Sequence, residues 1–497
     1  MQDGFKMKIN ISRTMSTQHP DNARQPFFIE NSVIGGDDEI TEAYYVFSHF
    51  KSREQLWDIE GKEADNYVVK KLLSKYDNFF KQHVLGQDIF LTPRVPNPEV
   101  EKNEAKLLLE TLESIPRNHD IARMFYGKDI SPIFEVFLPM TTSSESIIRI
   151  AEYYKKHVVG KKDRTLIKND IKIKDWFGDF LPEKLRVTPL LETKESMLSS
   201  AKIAEDYIKS QKVNDYMRVW LARSDPAINY GSFPTIILLK ITLQRLQQLE
   251  EKLSLPILPI LGAGTTPFRG NLKPTNVETI MGGYPSVQTF TIQSAFKYDY
   301  PEAEVRKAVE KMNDTPRGKP KFIDEKKGME IFKKVSDEYT RLIREIAPLI
   351  NEFSTYIPAR RKRKLHIGLF GYSRAKEGMK LPRAISFCAS LYSLGLPPEL
   401  LGLNVLTQKD LDSLNMSYKN FETDFRDAVQ YLNRGNLKFF PAVVRKAVEK
   451  AASLGQAEAN QEHNELTSQI LNDYKQMNMA SLSQNIIKAG QIRCFLG

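Results

Sequence analysis

Glu192 and Asp225 each close a short apolar run, Leu185–Leu191 and Met217–Ala222 with its Arg223-Ser224 extension. Two carboxylates at the ends of consecutive strands can share one divalent cation. Oxygen-only ligation favours Mg²⁺ or Mn²⁺, with water and substrate completing the shell. The alternative is local ion pairing, since Arg223 lies two residues from Asp225. The loop Gly262-Ala263-Gly264-Thr265-Thr266-Pro267-Phe268-Arg269-Gly270 follows another apolar run. Glycines such as Gly262 and Gly264 allow close backbone approach. Backbone N–H groups, threonine hydroxyls and the Arg269 guanidinium then make a seat for a phosphate, or a tight turn with its arginine in solvent.

Arg94 and Arg374 also follow apolar runs. With Arg269 they make three guanidinium forks, which converging around a metal imply a small, multiply anionic substrate, or else three surface arginines. His19 is one of seven histidines and sits in Met15-Ser16-Thr17-Gln18-His19-Pro20-Asp21-Asn22, which has neither helical nor strand period and reads as a loop. A histidine so placed can act as a general base near neutral pH. No Walker sequence, CxxC pair or GxSxG elbow is present, so those nucleotide, redox and hydrolase chemistries are not indicated.

The elements that must position these residues alternate between strand and helix. Six strand-like runs fall between 88 and 293, with helices Glu99–Ser114, Ser144–His157, Lys194–Lys212, Pro234–Leu253 and Pro274–Met281 between them. Lys364–Phe370 reads as a seventh strand and Gln55–Glu60 as an eighth. Eight βα units imply a closed (β/α)₈ barrel of the TIM type, whose function sits at the C-terminal strand ends; an open doubly wound sheet is the other arrangement. The expectation is an α/β, helix-rich, single barrel-centred domain over 1–497. Its barrel occupies 54–374, a helical insertion lies near 301–352, and residues 375–497 form a helical part packed on the barrel. The apolar end, Gly490–Gly497, is expected to be docked.

Of the 497 residues 41% are hydrophobic and 27% charged, as in ordinary globular proteins. The two cysteines, Cys388 and Cys494, make no disulfide framework, and with no visible signal peptide they point to a reducing cytoplasm. No apolar run reaches the length of a membrane span. The net charge of +10 includes one dense run, Arg360–Lys364, without the interleaved aromatics of an RNA-binding surface. Nucleic acid and membrane are therefore not expected partners.

Across nearly the whole chain the sequence resembles the archaeal-type phosphoenolpyruvate carboxylase family. The matching stretches include Met15–Asn22, Leu91–Pro98, Glu135–Thr142, Val187–Thr193, Arg223–Asp225, Gly262–Gly270, Leu365–Arg374, Leu381–Ile385 and Gly395–Leu400. The resemblance implies a barrel fold, a homotetramer, and irreversible β-carboxylation of phosphoenolpyruvate by bicarbonate, giving oxaloacetate and phosphate with Mg²⁺ or Mn²⁺. It implies Glu192 and Asp225 as metal ligands and His19 as the base acting on a carboxyphosphate intermediate. It also implies Arg94, Arg269, Arg374 and Arg383 around phosphate and carboxylate groups. The long bacterial and plant form carries a further histidine and arginine where this chain has Gly262–Phe268, which leaves His19 as the main candidate base. The competing readings are another barrel enzyme acting on phosphoenolpyruvate or pyruvate, and a basic nucleic-acid-binding protein.

Overall fold

The computed structural model describes residues 11–30, 32–362, 379–414 and 417–497. Eight strands close into an all-parallel barrel in chain order. They are β1 (Thr14–Ser16), β2 (Glu54–Asp58), β3 (Phe90–Arg94), β4 (Glu135–Leu138), β5 (Arg186–Leu191), β6 (Met217–Ala222), β7 (Ile257–Gly262) and β8 (Thr289–Ile292). Closure comes from β1 against β8, where Met15 pairs with Thr291 and Thr17 N–H donates to the Ile292 carbonyl at 3.0 Å.

Six of the expected runs and the one at Gln55–Glu60 supply β2 to β8. The first strand is a correction. Thr14–Ser16 was expected to lie at or next to a loop, and the barrel opens there rather than near residue 54. Three residues are too few for a period, and their polar Thr and Ser are buried by both neighbours. The strand expected at Lys364–Phe370 lies outside the described residues, as does Arg374; the barrel closes on the eight strands above.

The strands read as apolar runs because helices cover the outside while side chains fill the inside. The crossover helix Ser232–Leu253 is buried nearly all round in its first three turns. The barrel interior is not wholly apolar. Arg218 of β6 reaches Glu54 of β2 at 2.8 and 2.9 Å and Glu135 of β4 at 3.1 Å; Thr92 donates to Glu54 and Thr188 to Glu135. All five side chains are buried. Removing one partner of such a set costs roughly 3–5 kcal/mol, because a charge is left uncompensated in low dielectric.

The helices Glu302–Asp314 and Glu325–Phe353, expected as an insertion before a last strand, come after β8 and so follow the closed barrel. Asp324 caps the second, accepting from Lys327 N–H at 3.1 Å. The rest of the described chain is helical, ending in the antiparallel pair Gln461–Lys475 and Met479–Arg493. The terminal segment is docked as expected: Phe495 and Leu496 are buried, and Leu496 N–H donates to the Asp21 carbonyl at 2.7 Å. Among the described residues no single helix is long and apolar enough to cross a membrane. Arg360 and Arg361, the start of the basic run, are buried. Arg360 donates to the Ala23 carbonyl and Arg361 to Glu39 and Glu42, so these two present no surface for nucleic acid.

Candidate active site

A pocket of about 100 Å³ opens at the C-terminal ends of the strands. Its wall carries His19, Arg94, Glu192, Asp225, Arg269 and Arg383 from the residues singled out in the sequence. It also carries Gln18, Asp58, Glu60, Lys62, Ser224 and Arg361. Strand ends, not chain proximity, bring these together.

Glu192 follows β5 and is buried; its Oε2 accepts from Met140 N–H at 2.7 Å, which aims the carboxylate along the mouth. Asp225 lies in the first turn of the helix Ser224–Tyr230 that follows β6. Arg223, the neighbour that could have neutralised Asp225 locally, donates instead to Ser232 Oγ at 2.8 Å. Asp58 and Glu60 bring two further carboxylates to the same wall, from the end of β2. They were within an expected strand, but nothing in spacing alone marked them as site residues. Among the described residues no group of three or more His, Cys, Asp and Glu side chains forms a ready-made metal cluster. Two carboxylates with water and substrate remain the donor set that fits.

Arg94 ends β3 and is held by carboxylates. Its Nε and Nη2 donate to Asp58 at 2.9 and 2.8 Å, and Nη2 lies 3.0 Å from Glu60. Burial pushes the Asp58 carboxyl up, but Arg94, Lys62 and His19 pull harder and hold it well below the usual carboxylate range. Burial lowers Arg383, against the pull of Glu60 and Asp58, so this guanidinium faces the same acidic wall.

Arg269 closes the loop after β7 and is 1% exposed. The loop is tied back on itself, with Gly264 N–H donating to the Arg269 carbonyl at 2.8 Å and Leu272 N–H to the Gly264 carbonyl at 3.0 Å. The guanidinium is fully oriented: Nε donates to Ser224 Oγ at 3.1 Å, Nη1 to Asp21 Oδ2 at 3.0 Å and to the Gly497 carbonyl at 2.8 Å, and Nη2 to Gln293 Oε1. Gly264 makes room for it, since a Cβ there would lie 3.0 Å from both Arg269 Cζ and Gln293 Oε1. A Cβ at Gly262 would meet Trp220 Nε1 at 2.9 Å. The close approach these glycines permit is thus to protein groups behind the pocket, and the pocket side of the loop belongs to Arg269.

His19 is half-buried, with Nδ1 2.9 Å from Thr17 Oγ1. A hydroxyl donating to Nδ1 leaves the proton on Nε2, and a hydroxyl accepting from it leaves Nε2 basic. The His19 backbone is pinned by Ser294 N–H on its carbonyl. The site so built has hard oxygen ligands, forked cations for anionic oxygens and one titratable imidazole. It suits transfer or capture of phosphoryl and carboxyl groups.

Comparison with known proteins gives a consistent picture. A family model described as phosphoenolpyruvate carboxylase matches residues 11–497. The phosphoenolpyruvate carboxylase of Methanospirillum hungatei is 48% identical over 489 residues, covering 98% of this chain and 100% of the relative. That of Methanothermobacter thermautotrophicus is 46% identical over 489 residues, with 98% and 100% covered. That of Pyrococcus abyssi is 52% identical over 423 residues, with 85% of this chain and 89% of the relative covered.

Proposed function

The chain belongs to the archaeal-type phosphoenolpyruvate carboxylase family and is a carboxy-lyase, and we propose that it carries out the irreversible, Mg²⁺- or Mn²⁺-dependent β-carboxylation of phosphoenolpyruvate through carboxyphosphate and an enolate. The observation that carries this reading is one pocket wall that combines Glu192 and Asp225 with Arg269, Arg383 and His19. Glu192 and Asp225 would hold the divalent ion. Bound there, it supplies positive charge against oxygens that become negative.

Bicarbonate is a poor electrophile, so it must be activated. A bicarbonate oxygen attacks phosphorus, the enol C–O–P linkage breaks, and carboxyphosphate and the pyruvate enolate result. Arg269 is preorganised by its four hydrogen bonds and meets the charge of the migrating phosphoryl group without reorganising. Arg383 serves the same anions, and so does Arg94 to the extent that Asp58 and Glu60 release it. His19 removes the proton of carboxyphosphate, which then separates into CO₂ and phosphate. The enolate carbon attacks that CO₂ and forms oxaloacetate; the proton leaves on phosphate. Water must stay out, or the enolate is protonated to pyruvate. The His19 loop and the docked terminal segment are the covers. A homotetramer, a cytoplasmic location and anaplerotic supply of C4 acids belong to the same reading.

The test is oxaloacetate formation from phosphoenolpyruvate, with malate dehydrogenase as the coupled reporter, with and without bicarbonate and metal. Bicarbonate-dependent oxaloacetate supports the reading; its absence across metals and pH refutes it.

A further inference from the structure

Lys62 and Arg361 lie on the pocket wall, and the chemistry above uses neither. Both are buried, 3% exposed each. They belong to a connected set of charges behind the His19 loop. Lys62 Nζ is 2.8 Å from Glu39 Oε1. Arg361 donates to Glu39 at 3.2 Å and to both oxygens of Glu42 at 2.8 Å. Glu42 accepts from Lys297 at 2.9 Å, and Lys297 donates onward to Ser16 Oγ and the Thr17 carbonyl. The set therefore has three cations and two carboxylates, all buried.

An unmatched charge inside a protein is expensive. Here the surplus is positive and adjoins the pocket through Lys62 and Arg361. Lys62 has the Glu39 carboxylate at 2.8 Å as its ion-pair partner, and one such partner leaves two of the three ammonium N–H donors for an anion in the pocket. The rest of the wall has the opposite balance: the four carboxylates Asp58, Glu60, Glu192 and Asp225 face the three guanidiniums of Arg94, Arg269 and Arg383. The pocket is polarised, with an acidic pole that fits a metal and a basic pole that it does not explain.

Resting on the carboxylase reading, we propose that Lys62, held by the Glu39 carboxylate that Arg361 also contacts, is a binding residue for a carboxylate-type oxyanion in this pocket. Two substrates carry that group, bicarbonate and the carboxylate of phosphoenolpyruvate. Either would supply negative charge to offset the cluster's surplus and further acceptors for the Lys62 ammonium. The groups that set the charge of Lys62 are Glu39, Arg361 and Asp58. Burial, only partly offset by Glu39, brings the ammonium down to about 8. The seat is charged below that pH and loses its charge above it.

The experiment measures KM for bicarbonate at saturating phosphoenolpyruvate, and KM for phosphoenolpyruvate at saturating bicarbonate, in the full chain with Mg²⁺, for wild type, Lys62→Met and Lys62→Arg. The expected result is at least a tenfold rise in one KM in Lys62→Met, recovered to within about threefold by Lys62→Arg. A rise for bicarbonate assigns the seat to bicarbonate, and a rise for phosphoenolpyruvate assigns it to that carboxylate. In wild type kcat/KM for the assigned anion falls above pH ~8, and in Lys62→Arg the fall moves to higher pH. Both KM values within twofold of wild type in Lys62→Met would overturn the proposal. If the wild type forms no oxaloacetate, the carboxylase reading fails and oxalate decides the seat in metal-free buffer. Oxalate that raises the unfolding midpoint of wild type and Lys62→Arg but not of Lys62→Met supports it. Equal protection of all three, or none of wild type, overturns it.

Discussion

Arg269 donates to Asp21 Oδ2 at 3.0 Å, across 248 residues of sequence. That one ion pair fastens the His19 loop, two residues away, to the loop that follows β7. Both side chains are buried, at 1% and 0% exposure. The other oxygen of Asp21 accepts from Ala295 N–H at 2.7 Å, and its carbonyl accepts from Leu496 N–H. Asp21 thus joins four segments at the edge of the pocket, and it orients Arg269 without itself standing on the pocket wall.

Asp21→Asn tests this positioning role. The amide keeps one acceptor but loses the charge that opposes Arg269. kcat should fall by about 10²-fold, the range seen when a preorganised donor is disturbed, while KM for metal stays near wild type. A parallel loss of metal activation would show instead that the whole mouth had collapsed.

Gly264→Ala tests the seat of the guanidinium. The added methyl would press on Arg269 Cζ and Gln293 Oε1 at 3.0 Å. Because Arg269 has no room to retreat, kcat/KM for phosphoenolpyruvate should drop at least tenfold, with the unfolding midpoint within a few degrees of wild type. Wild-type kinetics would mean that the loop yields freely and that Arg269 is not held as tightly as its bonds imply.

The barrel was legible in the sequence because its strands are buried on both faces and separated by long amphipathic or apolar helices. Glu192, Asp225 and Arg269 were legible because a barrel turns strand ends into a common mouth; His19 was legible only as a histidine on a polar loop, since the strand before it was not expected. Asp58, Glu60, Lys62, Asp21 and Arg361 were not legible. Asp58 and Glu60 sit in a run too weak in period to rank, and Arg361 looked like one charge in a basic stretch. What gives each its role is a partner tens to hundreds of residues away, 36 for Arg94–Asp58 and 319 for Arg361–Glu42. Local pattern carries no trace of such pairs. Thr14–Ser16 was missed for the related reason that its strand is made by its neighbours.

His463→Gln tests how the terminal segment is held. His463 is fully buried and its Nε2 accepts from Arg493 Nη1 at 2.8 Å, while Arg493 Nη2 holds the Leu496 carbonyl at 3.3 Å. Burial, with Arg493 adding to it, brings the imidazole down to about 2. Its folded value lies below the unfolded one of about 6.5, so the contribution is present above pH ~6.5 and is lost as pH falls toward 2. Between pH 7 and pH 5 the wild type should lose about 2 kcal/mol from this group, seen as a falling unfolding midpoint. His463→Gln should flatten that acid slope; an unchanged slope would assign it to other groups.

His19→Asn separates the two halves of the chemistry. Phosphoryl transfer to bicarbonate should persist while the proton of carboxyphosphate is no longer taken, so oxaloacetate formation should fall by at least about 10²-fold with pyruvate and phosphate still released. Unimpaired oxaloacetate formation would remove His19 from its role.

The central claim is that phosphorus passes to a bicarbonate oxygen before carbon is joined to carbon. The direct measurement supplies ¹⁸O-labelled bicarbonate with phosphoenolpyruvate and Mg²⁺, and follows the mass of the phosphate released alongside oxaloacetate. The account predicts oxaloacetate and phosphate in equal amounts, with a single bicarbonate oxygen carried into each phosphate. Unlabelled phosphate, or phosphate released without bicarbonate-dependent oxaloacetate, would contradict it.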